Sequence, residues 1–169
     1  MDLIEILTQS FQDPLIYSIL FFIYSILAAV ILPIPVEIGL FNPYIHPFIL
    51  IGILAIGKGV GAGIVFIIGS NLRSLLKKIN SSNPLLKKIL YYCELFVIKY
   101  GYIGLFIIMS IPLMIDSVSL YLFSLLNPKE ETGERALAQR RFILINIAAG
   151  IVRGSIIIVT ALYFKIQLV

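Results

Sequence analysis

Four ionisable side chains stand inside otherwise apolar stretches of this 169-residue chain: Glu37, Lys58, Asp116 and Arg153. Each costs about 2.5–3.5 kcal/mol at the centre of a membrane helix, so such residues face a cavity and pair with one another. Two acids and two bases cancel. Two divisions of labour are open: Arg153 and Lys58 suit a phosphate, arginine as a planar fork and lysine as a point charge, with the carboxylates as counter-charges. Alternatively Glu37 and Asp116 take up and release a proton during transport. A purely structural reading is a pair of buried salt bridges holding two halves in register, but such pairs stabilise poorly compared with apolar replacements.

The surroundings of these residues set the class. Hydrophobic residues make up 60% of the chain and charged residues 13%, with a mean hydropathy of +1.04, against about 45–50% apolar and about 25% charged in soluble domains. Polar residues are too few to cover a soluble exterior, which predicts one that faces lipid. The net charge of +4 reads as basic loops on the cytoplasmic side of a membrane rather than as a nucleic-acid surface. One cysteine, Cys93, and one histidine, His46, exclude an intrachain disulfide and a Cys/His zinc site. Cys93 is expected to pack as a small hydrophobe and His46 to cap a loop at the membrane boundary. No metal, cofactor or hydrolase motif is present, so no enzyme activity is expected. Gly52–Lys58 has most of a P-loop pattern, yet Gly59 replaces the hydroxyl residue that would hold Mg²⁺ and the intervening residues are apolar.

Apolar stretches fall at Pro14–Leu32, Pro47–Gly69, Tyr102–Leu126 and Phe142–Phe164, each about the 20 residues that cross a hydrocarbon core. Prolines and an acid interrupt the first and third, at Pro33-Ile-Pro35-Val-Glu37 and at Pro112-Leu-Met-Ile-Asp116. Each interruption is followed by Asn-Pro (Asn42-Pro43, Asn127-Pro128) and then by a glycine-flanked base, Lys58 or Arg153. Duplicated halves with broken helices point to a transporter-type fold with its site near the midplane. The connectors 72–101 and 127–141 hold ten of the thirteen basic residues. Both lie on one side only if Tyr102–Leu126 enters, turns at Pro112 and leaves by the same face. The reading is therefore a re-entrant hairpin there and, by the repeat, another at 33–37, each turn facing the protein interior.

Residues 1–13 carry acids where a cleavable signal peptide carries bases, and Leu3, Ile4, Leu7 and Phe11 read as a short interfacial helix, with a frayed tail as the alternative. Asn83-Pro84 starts an amphipathic helix, with Leu85, Ile89, Tyr92, Cys93, Phe96 and Tyr100 as its apolar stripe, Tyr91 and Tyr102 as further anchors, and Gly101 as its end. Gly57/Gly61 and Gly59/Gly63 are small-xxx-small pairs for close helix packing, and Gly150 and Gly154 are read likewise.

In order and spacing, Pro33-Ile-Pro35-Val-Glu37, Asn42-Pro43, the glycine-rich Gly57–Gly69, Tyr100-Gly101-Tyr-Ile-Gly-Leu-Phe running to Pro112, and Gly150-Ile-Val-Arg153 resemble the DedA/VTT (SNARE-associated Golgi protein) membrane family over roughly residues 15–164. The likeness is to a branch of archaeal type, in which an acid follows the second proline element as Asp116 does. The resemblance implies two opposed re-entrant loops and lipid movement: phospholipid scrambling, recycling of polyprenyl-phosphate carriers, or proton-coupled export. Pro35 and Glu37 match the family's Pro-x-Glu. The arginines that flank the second proline in bacterial members are replaced by Met109 and Ile115, leaving Arg153 and Asp116 to compensate.

The expected fold is an all-α integral membrane protein of two pseudo-inverted repeats, each a re-entrant helical hairpin plus a transmembrane helix, with interfacial amphipathic helices. Residues 1–169 form one membrane domain: segment 1–13, first repeat 14–71 with span 47–70, connector 72–101, and second repeat 102–169 with turn 112–116, connector 127–141 and span 142–164. The expected function is movement of an amphipathic, phosphate-bearing lipid between leaflets of the cell membrane, with Glu37, Lys58, Asp116 and Arg153 as the binding site and Pro33, Pro35 and Pro112 at the turns. Partners are membrane lipids, with protons or small cations in the second reading; nucleic acid is not expected and a homo-oligomer is compatible. The alternatives are a proton-coupled exporter of small cations and a membrane assembly factor that transports nothing.

Overall fold

The computed structural model describes residues 6–7, 9–31, 35–79, 84–127 and 136–164. Within them the chain forms five α-helices: α1 (Pro14–Val30), α2 (Pro47–Ile79), α3 (Pro84–Ser110), α4 (Asp116–Leu125) and α5 (Gln139–Tyr163). A 3-10 turn, Val36–Leu40, lies between α1 and α2. Pro33, residues 80–83 and most of the polar connector (128–135) lie outside the described residues, as do the side chains of Leu85, Ile89 and Cys93.

Two helices are long and apolar enough to cross a membrane. The apolar part of α2 is Pro47–Arg73, 27 residues, and α5 has 25, each with a mean hydropathy of 2.2; at 1.5 Å per residue each exceeds the roughly 30 Å of a hydrocarbon core. They pack antiparallel, with Phe66 against Phe142 (ring centroids 5.2 Å apart) near one end and Gly154 against Ile51 near the other. Outward-facing Phe48, Ile67, Leu144 and Val159 are exposed, so the outer faces of both helices are apolar.

The glycines of α2 serve two neighbours at once. Gly57 and Gly61 face α1, where an added Cβ would stand 2.6 Å from Ser25 Cβ and 2.5 Å from Ala29 Cβ. Gly59 and Gly63 face Ile147 and Ile143 of α5. Gly150, in turn, brings the α5 backbone onto Ala55, whose Cα would lie 3.0 Å from a Cβ there.

Around these helices the chain twice goes out and comes back. Helix α1 is started by Asp13, whose carboxylate accepts from Leu15 N and Ile16 N at 3.1 Å, with Pro14 at its first position. After the end of α1 the segment 35–42 returns along it: Tyr24 Oη donates to Pro35 O (3.3 Å) and Tyr17 Oη to Gly39 O (2.9 Å). Gly39 lies so close to the Phe21 ring that a Cβ would come within 2.1 Å of it. Helix α3 likewise runs in to Ser110, turns through 111–115, and α4 returns beside it, with Phe123 packed near Gly104 and Ser124 near Gly69 of α2.

One expectation needs correction. Gly101 does not end a helix: α3 runs without a break from Pro84 to Ser110, because Gly101 lies under Leu137, whose Cδ2 would be 2.8 Å from a Cβ there. The boundary drawn at 101/102 therefore falls inside one helix, and α3 packs inward through Val97, Leu105 and Met109 while Tyr92, Phe96 and Tyr100 of the expected apolar stripe remain exposed. Helix α2 itself continues beyond its apolar part to Ile79, and Arg73 Nη2 pairs with Glu94 Oε1 of α3. Of the segment before Asp13, Leu7 is buried in the same core as Tyr17 and Phe11 packs on Tyr17 at 5.4 Å, while Leu3 and Ile4 lie outside the described residues.

Gly61→Ala is expected to destabilise the fold by about 1–3 kcal/mol through overpacking against α1. Gly52→Ala, where nothing lies within 4 Å of the new methyl, is expected to be neutral or to stabilise by up to about 1 kcal/mol, since alanine favours the helix. Denaturant unfolding in detergent micelles checks the order of the two.

Candidate functional site: a buried cluster of four charges

The two outward-and-back segments meet at their tips, about midway along α2 and α5. Leu113 N, in the turn between α3 and α4, donates to Glu37 Oε1, in the 3-10 turn after α1, at 2.9 Å. Behind this contact stand Lys58 from α2 and Arg153 from α5, each facing inward because glycines on either side let the neighbouring backbones close over it.

Arg153 holds the cluster together. Its Nε donates to Glu37 Oε1 at 2.8 Å, its Nη2 pairs with the same oxygen and donates to Met114 O at 3.1 Å, and its Nη1 donates to Asp116 Oδ1 at 2.7 Å. Lys58 Nζ reaches Asp116 Oδ1 and Met109 O, both at 3.2 Å. All four side chains are buried: Lys58 is 0% exposed, Arg153 2%, Asp116 3% and Glu37 6%. Burying an ion costs several kcal/mol even after relaxation, so only a neutral, closely bonded set is tolerable.

The helix ends take part. Met109 O belongs to the last turn of α3, where carbonyls lack intrahelical partners, and the Lys58 ammonium satisfies one of them and favours that end of the helix dipole. Asp116 is the first residue of α4, where a carboxylate is favoured for the converse reason. The backbone at the turn is thus partnered by the same charges that form the site. Leu113 sits at φ 62°, the left-handed region, which costs a non-glycine residue about 1–2 kcal/mol; the bond from its N–H to Glu37 holds it there.

Each carboxylate is used on one side only. Within the carboxylates, Glu37 Oε1 and Asp116 Oδ1 accept all the bonds that Arg153 and Lys58 make to them, whereas Glu37 Oε2 and Asp116 Oδ2, both buried, make no hydrogen bond among the described residues. A third acceptor, Asn146 Oδ1, is buried in the same condition on α5 while its Nδ2 donates to Phe142 O.

The structure brings Glu37, Lys58, Asp116 and Arg153 into one bonded set. Pro35 accepts the Tyr24 hydroxyl just before the 3-10 turn, and Pro112 precedes Leu113 at the tip. His46 is exposed ahead of α2, stacked on Phe48 at 5.3 Å, with its carbonyl accepting from Ile49 N. Sequence reasoning missed Leu113, whose strained φ has no glycine or asparagine to signal it, and also missed Asn146, Tyr17 and Tyr24. Among the described residues no group of three or more His, Cys, Asp or Glu side chains is arranged to hold a metal. No protein-family model, curated protein or solved structure matches this chain.

Arg153→Ala leaves buried Glu37 without its cation and Asp116 with Lys58 alone, and is expected to cost about 3–5 kcal/mol of stability. Replacing Lys58 and Asp116 together by methionine and leucine in a double variant is expected to cost less than Lys58→Met alone, as a double-mutant cycle by denaturant unfolding would measure.

Proposed function

We propose that this is a multi-pass membrane protein, not an enzyme, that moves an amphipathic, phosphate-bearing lipid between the leaflets of the cell membrane. In this reading its two outward-and-back segments are opposed re-entrant hairpins of two pseudo-inverted repeats. The observation that carries the reading is the meeting of the two tips on a buried four-charge cluster midway along two span-length helices. Directly outside it, Ile111, Leu113, Met114 and Ile115 are exposed apolar residues. A polar headgroup needs charged partners at that depth, and the chains of the same lipid need an apolar exterior beside them.

The repeat reading draws support from the two Asn-Pro elements. Asn42 Nδ2 donates to Phe11 O while its Oδ1 accepts from Tyr44 N, and Asn127 exchanges two bonds of 2.8 Å with the backbone of Leu137. Both buried amides thus clamp backbone where a returning segment ends. The motif order resembling the DedA/VTT family points the same way.

For orientation, Arg73, Lys99, Arg140 and Arg141 belong to the end where α2 finishes and α5 begins, and the positive-inside bias assigns that end to the cytoplasm. A second reading, proton-coupled export of small cations, is favoured by the two bare carboxylate oxygens.

In proteoliposomes without an ion gradient, the native protein is expected to expose a protected, labelled phospholipid to an impermeant quencher. Glu37→Gln and Asp116→Asn are each expected to slow this about tenfold or more, the loss of one charge-assisted bond. Dependence on a pH gradient would favour the exporter. In a Cys93→Ser background, cysteine introduced at Lys88 is expected to react with impermeant maleimide from the cytoplasmic side only, and cysteine at Tyr44 from the other side only.

A further inference from the structure

Helix α3 is continuous but not straight. The Phe96 ring comes within 3.6 Å of where a Cβ on Gly104 would stand, whereas residues eight apart in a straight helix are separated by about 12 Å along its axis. The helix therefore bends sharply between them, in a stretch that contains Gly101. From Gly101 to Ser110, its end beside the charge cluster, α3 rises about 14 Å, close to half of the roughly 30 Å hydrocarbon core. In a membrane the bend thus falls at the boundary on the side of Arg73, Arg140 and Arg141, and the arm before it turns away from the crossing direction there.

That arm has one closed side and one open face. Val97 is buried, and Glu94 is paired with Arg73, which neutralises the described acid of the arm. On the other side Lys88, Tyr92, Phe96 and Lys99 follow at intervals of four, four and three, which is one stripe of a helix, and all four are exposed. Neither lysine makes an ion pair among the described residues, and Lys99 stands over the Tyr100 ring at 5.2 Å.

The two aromatic members of the stripe border a cavity in the angle of the bend. Tyr92 and Phe96 on one arm, Ile108 on the other, and Leu122, Phe123 and Leu126 on α4 and just past its end line an apolar space of about 260 Å³. None of the four cluster charges borders it, so it is separate from the site described above. An occupant must match an apolar wall and two cations on its rim. A water-soluble anion matches only the lysines, and a neutral lipid only the wall. A lipid with a net negative headgroup matches both, because lysine stems lie along an apolar chain while their ammonium groups reach headgroup depth. Midway between Lys88 and Lys99 a headgroup is about 8 Å along the axis from either, within a Debye length at physiological salt.

We infer that the elbow of α3 is a binding site for an anionic phospholipid of the cytoplasmic leaflet, one acyl chain in the cavity and the headgroup between Lys88 and Lys99. The inference requires the chain to sit in a membrane, not that it moves lipid.

The protein has no tryptophan, so Phe96→Trp, or Leu122→Trp on the opposite wall, gives a fluorophore that reports the cavity alone. The full chain is reconstituted in phosphatidylcholine vesicles containing small fractions of phosphatidylglycerol or phosphatidylcholine brominated on the acyl chain, which quenches tryptophan on contact. Brominated phosphatidylglycerol is expected to half-quench both reporters at a mole fraction at least about fivefold below that of brominated phosphatidylcholine. Lys88→Gln combined with Lys99→Gln is expected to remove that difference. Leu162→Trp, at an exposed position near the far end of α5, is expected to be quenched equally by both lipids. Equal quenching at the two cavity reporters overturns the inference, because the cavity then samples the bulk bilayer. A preference that survives loss of both lysines also overturns it, placing the anionic lipid elsewhere. Quenching of Leu162→Trp together with no quenching at the cavity by either lipid overturns it in favour of a second copy of this chain closing the elbow. The two cavity reporters lie on different helices, so failure of one variant to fold leaves the other to decide. Lipid movement is read separately in the same vesicles, and its failure leaves this site standing.

Discussion

The guanidinium of Arg153 is the interaction on which the rest of the structure depends. It reaches from α5 to Glu37 at one tip and Asp116 at the other, and no other described side chain is bonded to both carboxylates. A lysine at that position would offer a point charge without the planar fork that addresses two carboxylates at once. Lys58 then completes neutrality from the opposite helix. Two acids and two bases buried together tolerate an apolar surrounding that none of them would tolerate alone.

Neutrality is half of the constraint; the other half is the backbone. A turn inside an apolar fold exposes N–H and C=O groups that have no water to bond. Here Leu113 N, Met114 O and Met109 O are each bonded to a member of the cluster. The charges and the broken helix therefore require one another: the turn supplies bonds that lower the cost of burying the charges, and the charges satisfy the turn. At the first tip the same task falls to neutral groups, the hydroxyls of Tyr17 and Tyr24.

Such an arrangement works only if the helices that carry it come close. Alternating glycines on α2 present two smooth faces, one to α1 and one to α5, and leave Lys58 pointing between them. Overpacking either face would separate the cluster's partners, which ties the site to the packing around it.

The amino-acid sequence determined much of this directly. Its scarcity of polar residues implied an apolar exterior, two uninterrupted apolar runs marked the two span-length helices, and four charges in apolar segments marked the buried cluster, because burial of an ion is costly wherever the chain places it. The two prolines-plus-acid elements marked where helices break. Tertiary structure decided the rest. Glu37 and Arg153 are 116 positions apart, and no local pattern says which acid meets which base or which oxygen stays bare. Gly101 reads as a helix end in isolation, yet the packing of Leu137 over it allows α3 to continue. Leu113 adopts a left-handed φ that its own side chain disfavours, because a bond to a distant carboxylate outweighs the local cost. Local propensity and composition are short-range properties, whereas ion pairing, close approach and imposed strain exist only once remote segments meet.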